Sequence, residues 1–148
     1  EKPISVMANG GKAMNELHED HVILSLKYPS GIVGVCETNW LTPMKVRDLS
    51  LTTDTCYVNL DYLEQKINIF SSDYGDIDAG NLYKPPMNVI KSTISPEGRE
   101  PLVKELEDFL ISIINEKEPF VPGKDGLSAV KIVEAGLKSL KSGEVVNL

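Results

Sequence analysis

The feature that most constrains the fold is a series of short β-rich runs, most of them separated by only three or four residues. The runs are rich in Val, Ile, Leu and Thr, and the breaks between them hold proline, glycine or polar residues. The predicted strands cover residues 21–28, 32–38, 47–52, 57–61 and 65–70. Connections this short join antiparallel neighbours, because a parallel pair needs a crossover of about a dozen residues. The sequence therefore predicts an antiparallel meander.

Two further strands flank this meander. Residues 4–8 form an apolar run that we expect to end at Asn9-Gly10-Gly11, and residues 87–94 are a candidate for the last strand. Residues 71–83 contain two glycines and three aspartates and few apolar residues, which predicts a flexible loop.

The spacing of apolar residues becomes helical after Pro96. Apolar residues then recur at intervals of three and four, with Pro101 suited to the first helical turn. A second helix is predicted over residues 125–141, with Asp125 as its N-cap and Gly143 as its end. The predicted class is α+β: a predominantly antiparallel, open-faced sheet with the two C-terminal helices packed on one face.

An open sheet face has a consequence for assembly. Apolar side chains on the face without helices would meet solvent, and large exposed apolar patches usually mark interfaces. We therefore expect a homo-oligomer, a dimer in the simplest case, formed through the open face.

Composition excludes several functions for this chain of 148 residues. The formal charge of −7 disfavours nucleic-acid binding, which needs clustered Lys and Arg. No apolar run approaches the ~20 residues that span a membrane. Cys36 and Cys56 lie in strand-like runs, where we expect buried thiols. Two cysteines cannot build a disulfide framework, and a soluble, cytoplasmic protein is predicted.

The histidines and the glycine pair give little sign of chemistry. His18 and His21 flank Glu19-Asp20, but residues three apart on a strand face opposite sides and no third metal ligand lies near in sequence. We expect a structural or surface role. Asn9-Gly10-Gly11-Lys12 lacks the first glycine and the Ser or Thr of a phosphate-binding loop. No catalytic, cofactor-binding or metal-binding residue is predicted.

The candidate substrate-binding residues are Trp40, Lys45 and Arg47. A tryptophan beside a loop broken by Pro43 and followed by two cations could stack on a sugar and hold a phosphate. The alternative is a core tryptophan with solvated cations.

Several strings, in this order, resemble the second half of the Gfo/Idh/MocA oxidoreductase family (glucose-fructose oxidoreductase, inositol dehydrogenase, rhizopine catabolism). The matching segments are Lys2-Pro3-Ile4-Ser5-Val6-Met7-Ala8, Glu19-Asp20-His21-Val22, Tyr28-Pro29-Ser30-Gly31, Asn39-Trp40-Leu41-Thr42-Pro43-Met44-Lys45-Val46-Arg47, Leu60-Asp61-Tyr62, Glu100-Pro101-Leu102 and Pro122-Gly123-Lys124-Asp125-Gly126-Leu127. The strings around Trp40 and Asp61 are most similar to members acting on nucleotide sugars.

The resemblance implies a role within a larger enzyme. Residues 1–148 would be a single C-terminal substrate and oligomerisation domain of an NAD(P)-dependent sugar dehydrogenase, and the N-terminal Rossmann domain would lie outside this chain. The cofactor, NAD or NADP, would bind in the full-length parent, with none bound by this chain, and the chain alone would be inactive. The parent would act on a sugar or nucleotide sugar.

Two departures from the family pattern qualify this resemblance. Glu1-Lys2-Pro3 spells the family's catalytic lysine motif, but it stands directly before a predicted strand and is interpreted as coincidence. Thr53 and Cys56 stand where relatives often have turn glycines. The alternative function is a stand-alone interaction module that dimerises through its sheet without enzymatic activity.

Overall fold

The computed structural model describes residues 1–74, 87–95, 98 and 100–148. They form two compact units, one of Glu1–Pro43 with Lys104–Leu148 and one of Met44–Val103. The strands are β1 (Ser5–Gly11), β2 (His21–Lys27), β3 (Val33–Asn39), β4 (Asp48–Thr52), β5 (Cys56–Asp61), β6 (Lys66–Tyr74), β7 (Met87–Ile94) and β8 (Val146–Asn147), and the helices are α1 (Pro101–Ile114) and α2 (Gly123–Ser142). The predicted α+β class, with antiparallel strands and two C-terminal helices, is confirmed.

The first unit contains a four-stranded antiparallel sheet in the order β3-β2-β1-β8. The predicted hairpin joins β2 to β3, and its turn is closed by a hydrogen bond of 3.0 Å from the Tyr28 amide to the Ile32 carbonyl. β1 continues through Asn9 to Gly11, so the strand break predicted there was wrong. Position 10 of the strand requires glycine, because the Cβ of any other residue would lie 2.2 Å from the His21 carbonyl oxygen and clash with it.

Helix α2 packs on this sheet against β1 and β8. The buried apolar centre is formed by Val6 and Ala8 of β1 and Ala135 of α2. Gly136 brings the helix close to the sheet, since a Cβ there would lie 2.9 Å from Leu24 Cδ2. The predicted antiparallel sheet with a helix on one face is thus built around small residues.

The ends of α2 agree only in part with the sequence. Gly143 adopts φ 72° and its amide binds the Ser139 carbonyl at 2.8 Å, so the predicted C-terminal end is confirmed. The N-cap is Pro122, without a side-chain cap, and Asp125 lies inside the first turn. The prediction of Asp125 as N-cap was therefore wrong, although its charge still suits the positive end of the helix dipole.

The two helices contribute unequally to packing. α1 begins at Pro101, as predicted. In the described part of the chain, α2 packs on strands of the first unit, whereas α1 has no contact of similar extent with them. Its large apolar side chains remain between 38% and 78% exposed.

The second unit contains a separate antiparallel sheet in the order β4-β5-β6-β7. The predicted strands thus fall into two sheets, where the sequence analysis expected one. Side chains pair across the strands: the rings of Tyr57 and Phe70 lie 5.9 Å apart, and Lys91 Nζ lies 5.5 Å from the centre of the Phe70 ring. The turn before β5 needs no glycine, because Thr53 Oγ1 accepts hydrogen bonds from the amides of Thr55 and Cys56.

Two sequence predictions about local exposure need correction. β6 extends to Tyr74, so residues 71–74 belong to a strand and not to the predicted loop, and residues 75–83 of that loop lie outside the described residues. Cys36 is exposed and Cys56 only partly buried, so the prediction of buried thiols was wrong. No helix of the described residues is long and apolar enough to cross a bilayer.

Candidate functional site

Asp20 organises the loop between β1 and β2. Its side chain is 5% exposed, and its carboxylate accepts hydrogen bonds from three successive backbone amides, those of Ala13, Met14 and Asn15, at 2.6 to 3.0 Å. The Asp20 amide also donates to the Gly11 carbonyl at 3.0 Å. This carboxylate therefore anchors the loop of residues 12–19, within which Asn15 Oδ1 also accepts the amides of Leu17 and His18.

These donors stabilise the ionised form of Asp20. The Met14 amide contributes most to lowering the pKa of this carboxyl well below its usual range, followed by the His21 side chain and the Asn15 amide. Asp20 is consequently a fixed negative charge at neutral pH.

Asp20 also orients His21. The imidazole Nδ1 lies 2.9 Å from Asp20 Oδ1, and the His21 side chain is 44% exposed. Because an ionised carboxylate only accepts hydrogen bonds, Nδ1 is the nitrogen that donates to Asp20. His18 takes no part in this arrangement: its backbone amide binds Asn15 Oδ1. The described residues bring no three His, Cys, Asp or Glu side chains together as metal ligands.

A second side chain shapes the segment after β3. Asn39 Oδ1 accepts hydrogen bonds from the amides of Leu41 and Thr42, at 3.0 and 2.8 Å, and from the Thr42 hydroxyl at 2.7 Å. This Asx turn holds Trp40 at its tip with 89% of its surface exposed. The Trp40 amide binds the Asp20 carbonyl at 2.8 Å, which ties the turn to the Asp20 anchor.

Asn39 and His21, which Asp20 orients, border one groove. It is open, has a volume of about 380 Å³, and lies at the end of the β2–β3 pair where His21 faces Asn39. Its lining residues are His21, Val22, Ile23, Glu37, Thr38, Asn39, Leu41, Thr42 and Pro43. Apolar side chains thus alternate with polar groups around a space of the size of small-molecule sites.

The predicted site residues are all at the surface. Trp40 belongs to the first unit. Its side chain is exposed, which contradicts the alternative of a core tryptophan. Lys45 and Arg47 are exposed in the second unit, where the Arg47 carbonyl accepts the Tyr62 amide at 3.0 Å. The structure thus describes the three residues in two separate units, and their joint role in binding stays a prediction.

Sequence reasoning missed the residues that build the groove. Glu37 and Asn39 were not singled out as functional, nor was Asp20, which orients His21, and His21 was assigned a structural or surface role. One signal was available: Asn39 and Thr42 have the Asn-x-x-Thr spacing of an Asx turn. The backbone contacts of Asp20 had no comparable signal, since they depend on the path of the loop.

The fold has many counterparts among solved structures. The aldose-aldose oxidoreductase from Caulobacter crescentus, complexed with glycerol, aligns with a TM-score of 0.76 at 19% identity over 100% of this chain and 42% of its own. The UDP-N-acetylglucosamine 3-dehydrogenase GnnA from Acidithiobacillus ferrooxidans aligns with a TM-score of 0.73 at 20% identity, over 95% of this chain and 43% of its own. A levoglucosan dehydrogenase complexed with NADH and levoglucosan gives 0.75 at 13% identity, over 99% and 45%.

These likenesses concern the fold. Gfo/Idh/MocA-type oxidoreductases carry it, as the sequence resemblance implied. The chain spans less than half the length of each of these proteins. No protein-family model matches the sequence, and no curated protein matches it significantly.

Proposed function

We propose that the chain is the C-terminal substrate and oligomerisation domain of an NAD(P)-dependent sugar or nucleotide-sugar oxidoreductase, which transfers a hydride to the nicotinamide from a carbon that bears a sugar hydroxyl, while the hydroxyl loses its proton. The observation that carries this proposal is a fold shared, over at least 95% of this chain, with part of three enzymes whose names specify sugar substrates. The remaining length of those enzymes leaves room for a nucleotide-binding domain.

The cofactor would be held by that other domain. Dinucleotides bind at the carboxyl ends of parallel strands, beside a Gly-rich turn that leads into a helix. The described residues of this chain form only antiparallel pairs, so they do not fit a dinucleotide. We expect no heat of binding when the chain is titrated with NAD or NADP in a calorimeter, and clear binding would contradict the assignment.

The chain would contribute walls to the substrate site. Trp40 offers an exposed ring for stacking against a sugar or base, and Lys45 and Arg47 are exposed cations of the kind that hold diphosphates. The open face of the first sheet would mediate homo-oligomerisation, and a cytoplasmic location stays a prediction.

The direct test is turnover by the full-length parent. NAD or NADP reduction is followed with neutral sugars and with UDP-sugars, and we expect turnover with at least one of them. Trp40→Ala should raise KM about fivefold through lost stacking, whereas Phe120→Ala, which removes an equally exposed ring, should leave KM unchanged. A parent that reduces neither nucleotide with any sugar would leave the alternative of an interaction module.

A further inference from the structure

Strand β3 forms one edge of the first sheet, and half of its backbone hydrogen-bonding groups point away from that sheet. Across the β2–β3 pair, the Trp40 amide binds the Asp20 carbonyl at 2.8 Å and the Tyr28 amide binds the Ile32 carbonyl at 3.0 Å. Bonded and non-bonded pairs alternate along an antiparallel ladder, which fixes the direction of every group between these two contacts. The residues of β3 that bond to β2 are Gly34, Cys36 and Thr38. Those whose N–H and C=O groups point outward are Val33, Val35, Glu37 and Asn39.

This edge lacks the usual protection against another strand. In the described part of the chain, no group hydrogen-bonds to the outward N–H and C=O groups of β3. Natural edge strands are commonly short or carry lysine or proline, but β3 has seven residues, neither lysine nor proline, and a single charge at Glu37. The opposite edge differs, because β8 has two residues and the Ser139 hydroxyl binds the Ala8 amide. β3 is thus the edge of this sheet that is open for pairing.

The edge is complementary to itself. Antiparallel pairing centred on Cys36, the middle residue of Val33–Asn39, uses the full length of the strand. It places Val35 opposite Glu37 of the second copy, so the one charged side chain of each strand faces a valine and no like charges meet. The outward groups of the two strands then form about eight backbone hydrogen bonds.

We propose that β3 pairs with β3 of a second copy of this chain, in the register centred on Cys36, and joins the two four-stranded sheets edge to edge. A symmetric contact of this kind uses the same surface on both copies and closes as a dimer. It goes beyond the proposed enzymatic function and does not depend on it. It also differs from packing through the open face, because it lies in the plane of the sheet and leaves that face available to a further copy.

The first test is oxidative cross-linking of the 148-residue chain carrying Cys56→Ser, which leaves Cys36 as the sole cysteine. In the proposed register Cys36 lies opposite itself in a non-hydrogen-bonded pair, where Cα atoms are about 4.5 Å apart, a separation that a disulfide spans. Oxidation with copper phenanthroline at micromolar protein concentration should therefore give a dimer that a reducing agent separates.

The matched control moves the sole cysteine along the same face of β3. Thr38→Cys, combined with Cys36→Ser and Cys56→Ser, places it about 13 Å along the strand from its counterpart in the second copy. Because that distance exceeds the reach of a disulfide, cross-linking should be at least about tenfold slower. Equal rates for the two sole-cysteine chains would overturn the proposal.

A proline substitution tests the backbone hydrogen bonds themselves. Glu37→Pro removes an N–H that points outward, and an edge strand tolerates proline at such a position. It should abolish the cross-link at Cys36, whereas Glu37→Ala, which keeps the amide, should cross-link like the unsubstituted strand. Circular dichroism and urea unfolding show whether both variants fold, and Val33→Pro, at the first residue of β3, takes the place of a Glu37→Pro that does not. Unchanged cross-linking in a folded proline variant would refute the pairing.

Val35→Lys separates the edge from the open face. The lysine adds a charge to the open face but would stand opposite Glu37 of the second copy, where opposite charges attract. Cross-linking at Cys36 should therefore persist in this variant, and its loss would assign the contact to the open face and overturn the edge pairing. Nucleotide reduction by the full-length parent is a separate measurement, so a failure of the edge pairing leaves the dehydrogenase assignment untouched.

Discussion

At the scale of single residues, two buried polar side chains connect separate segments of the first unit. The Asp20 carboxylate accepts hydrogen bonds from three backbone amides and contacts the His21 ring. Ser139 of α2 is fully buried, and its hydroxyl accepts a hydrogen bond from the Ala8 amide of β1. Ser139 satisfies the amide of the buried residue Ala8, and Asp20 fixes the backbone of an exposed loop. Their removal should therefore be felt more strongly than that of exposed neighbours.

Replacing Asp20 should change how stability depends on pH. The folded-state pKa of Asp20 lies below the value of about 3.9 for an unfolded chain, so its contribution is complete above that pH and is lost as the pH falls further. We expect Asp20→Asn to lower the free energy of unfolding at pH 7 and to flatten its decline below pH 4. Urea unfolding between pH 7 and pH 2 measures both effects.

The control for Asp20 is Glu16→Gln, which removes one exposed carboxylate from the same loop. In this variant the free energy of unfolding should depend on pH as it does in the unsubstituted chain. Identical profiles for the two variants would show that Asp20 does not anchor the loop in solution.

Replacing Ser139 should destabilise the chain by about 1–3 kcal/mol. Its hydroxyl accepts the Ala8 amide at 2.9 Å and donates to the Glu144 carbonyl at 2.5 Å, and both backbone groups lose this partner in Ser139→Ala. Ser128→Ala, at a half-buried serine of the same helix whose hydroxyl binds the exposed Lys2 ammonium and the Lys124 carbonyl, should cost much less. Equal unfolding midpoints for the two variants would contradict this role.

At the scale of elements, the contact between α2 and its sheet depends on small residues. Gly136 faces Leu24 across the contact, whereas Gly126 of the same helix has no atom within 4 Å of the position of an added Cβ. The same substitution should therefore have different consequences at the two positions.

Gly126→Ala should stabilise the chain by up to about 1 kcal/mol, because alanine favours the helix and meets no obstacle. Gly136→Ala gains the same helix propensity but must displace the end of the Leu24 side chain, so its stability should be lower than that of Gly126→Ala. The comparison is made from the urea concentrations at the unfolding midpoints, which report stability when the m-values of the two variants are the same. A Gly136 variant as stable as the Gly126 variant would show that Leu24 yields without cost.

At the scale of the whole molecule, the exposed apolar surface is the dominant feature. Leu24 meets α2, and its cross-strand partner Cys36 shares that face, so Val33 and Val35 point to the side without a helix. These valines are 63% and 70% exposed. Such a surface fits the proposed oligomer.

Sedimentation should give the mass of a dimer or larger oligomer at micromolar concentration. Val35→Lys places a charge on the open face and should shift the mass towards the monomer. Val121→Lys, at a valine of 68% exposure outside the sheets, should not. A monomeric mass for the unsubstituted chain, or equal masses for both variants, would refute assembly through this face.

Much of the fold follows from local patterns in the sequence. The hairpin between β2 and β3, the meander of β4 to β6 and the end of α2 at Gly143 each depend on alternation, short connections or a residue that tolerates positive φ. These features involve neighbours along the chain, so the order of residues is enough to predict them.

Only the tertiary structure decided the division into two sheets, the course of β1 through its glycines and the groove beside His21. These depend on contacts between distant residues, such as the approach of Gly10 to the His21 backbone and the bond from Ala8 to Ser139. The amides that Asp20 binds are present in every residue type except proline, and no residue pattern marks them. For this reason the strands could be predicted from the sequence, whereas the anchor of the candidate site could not.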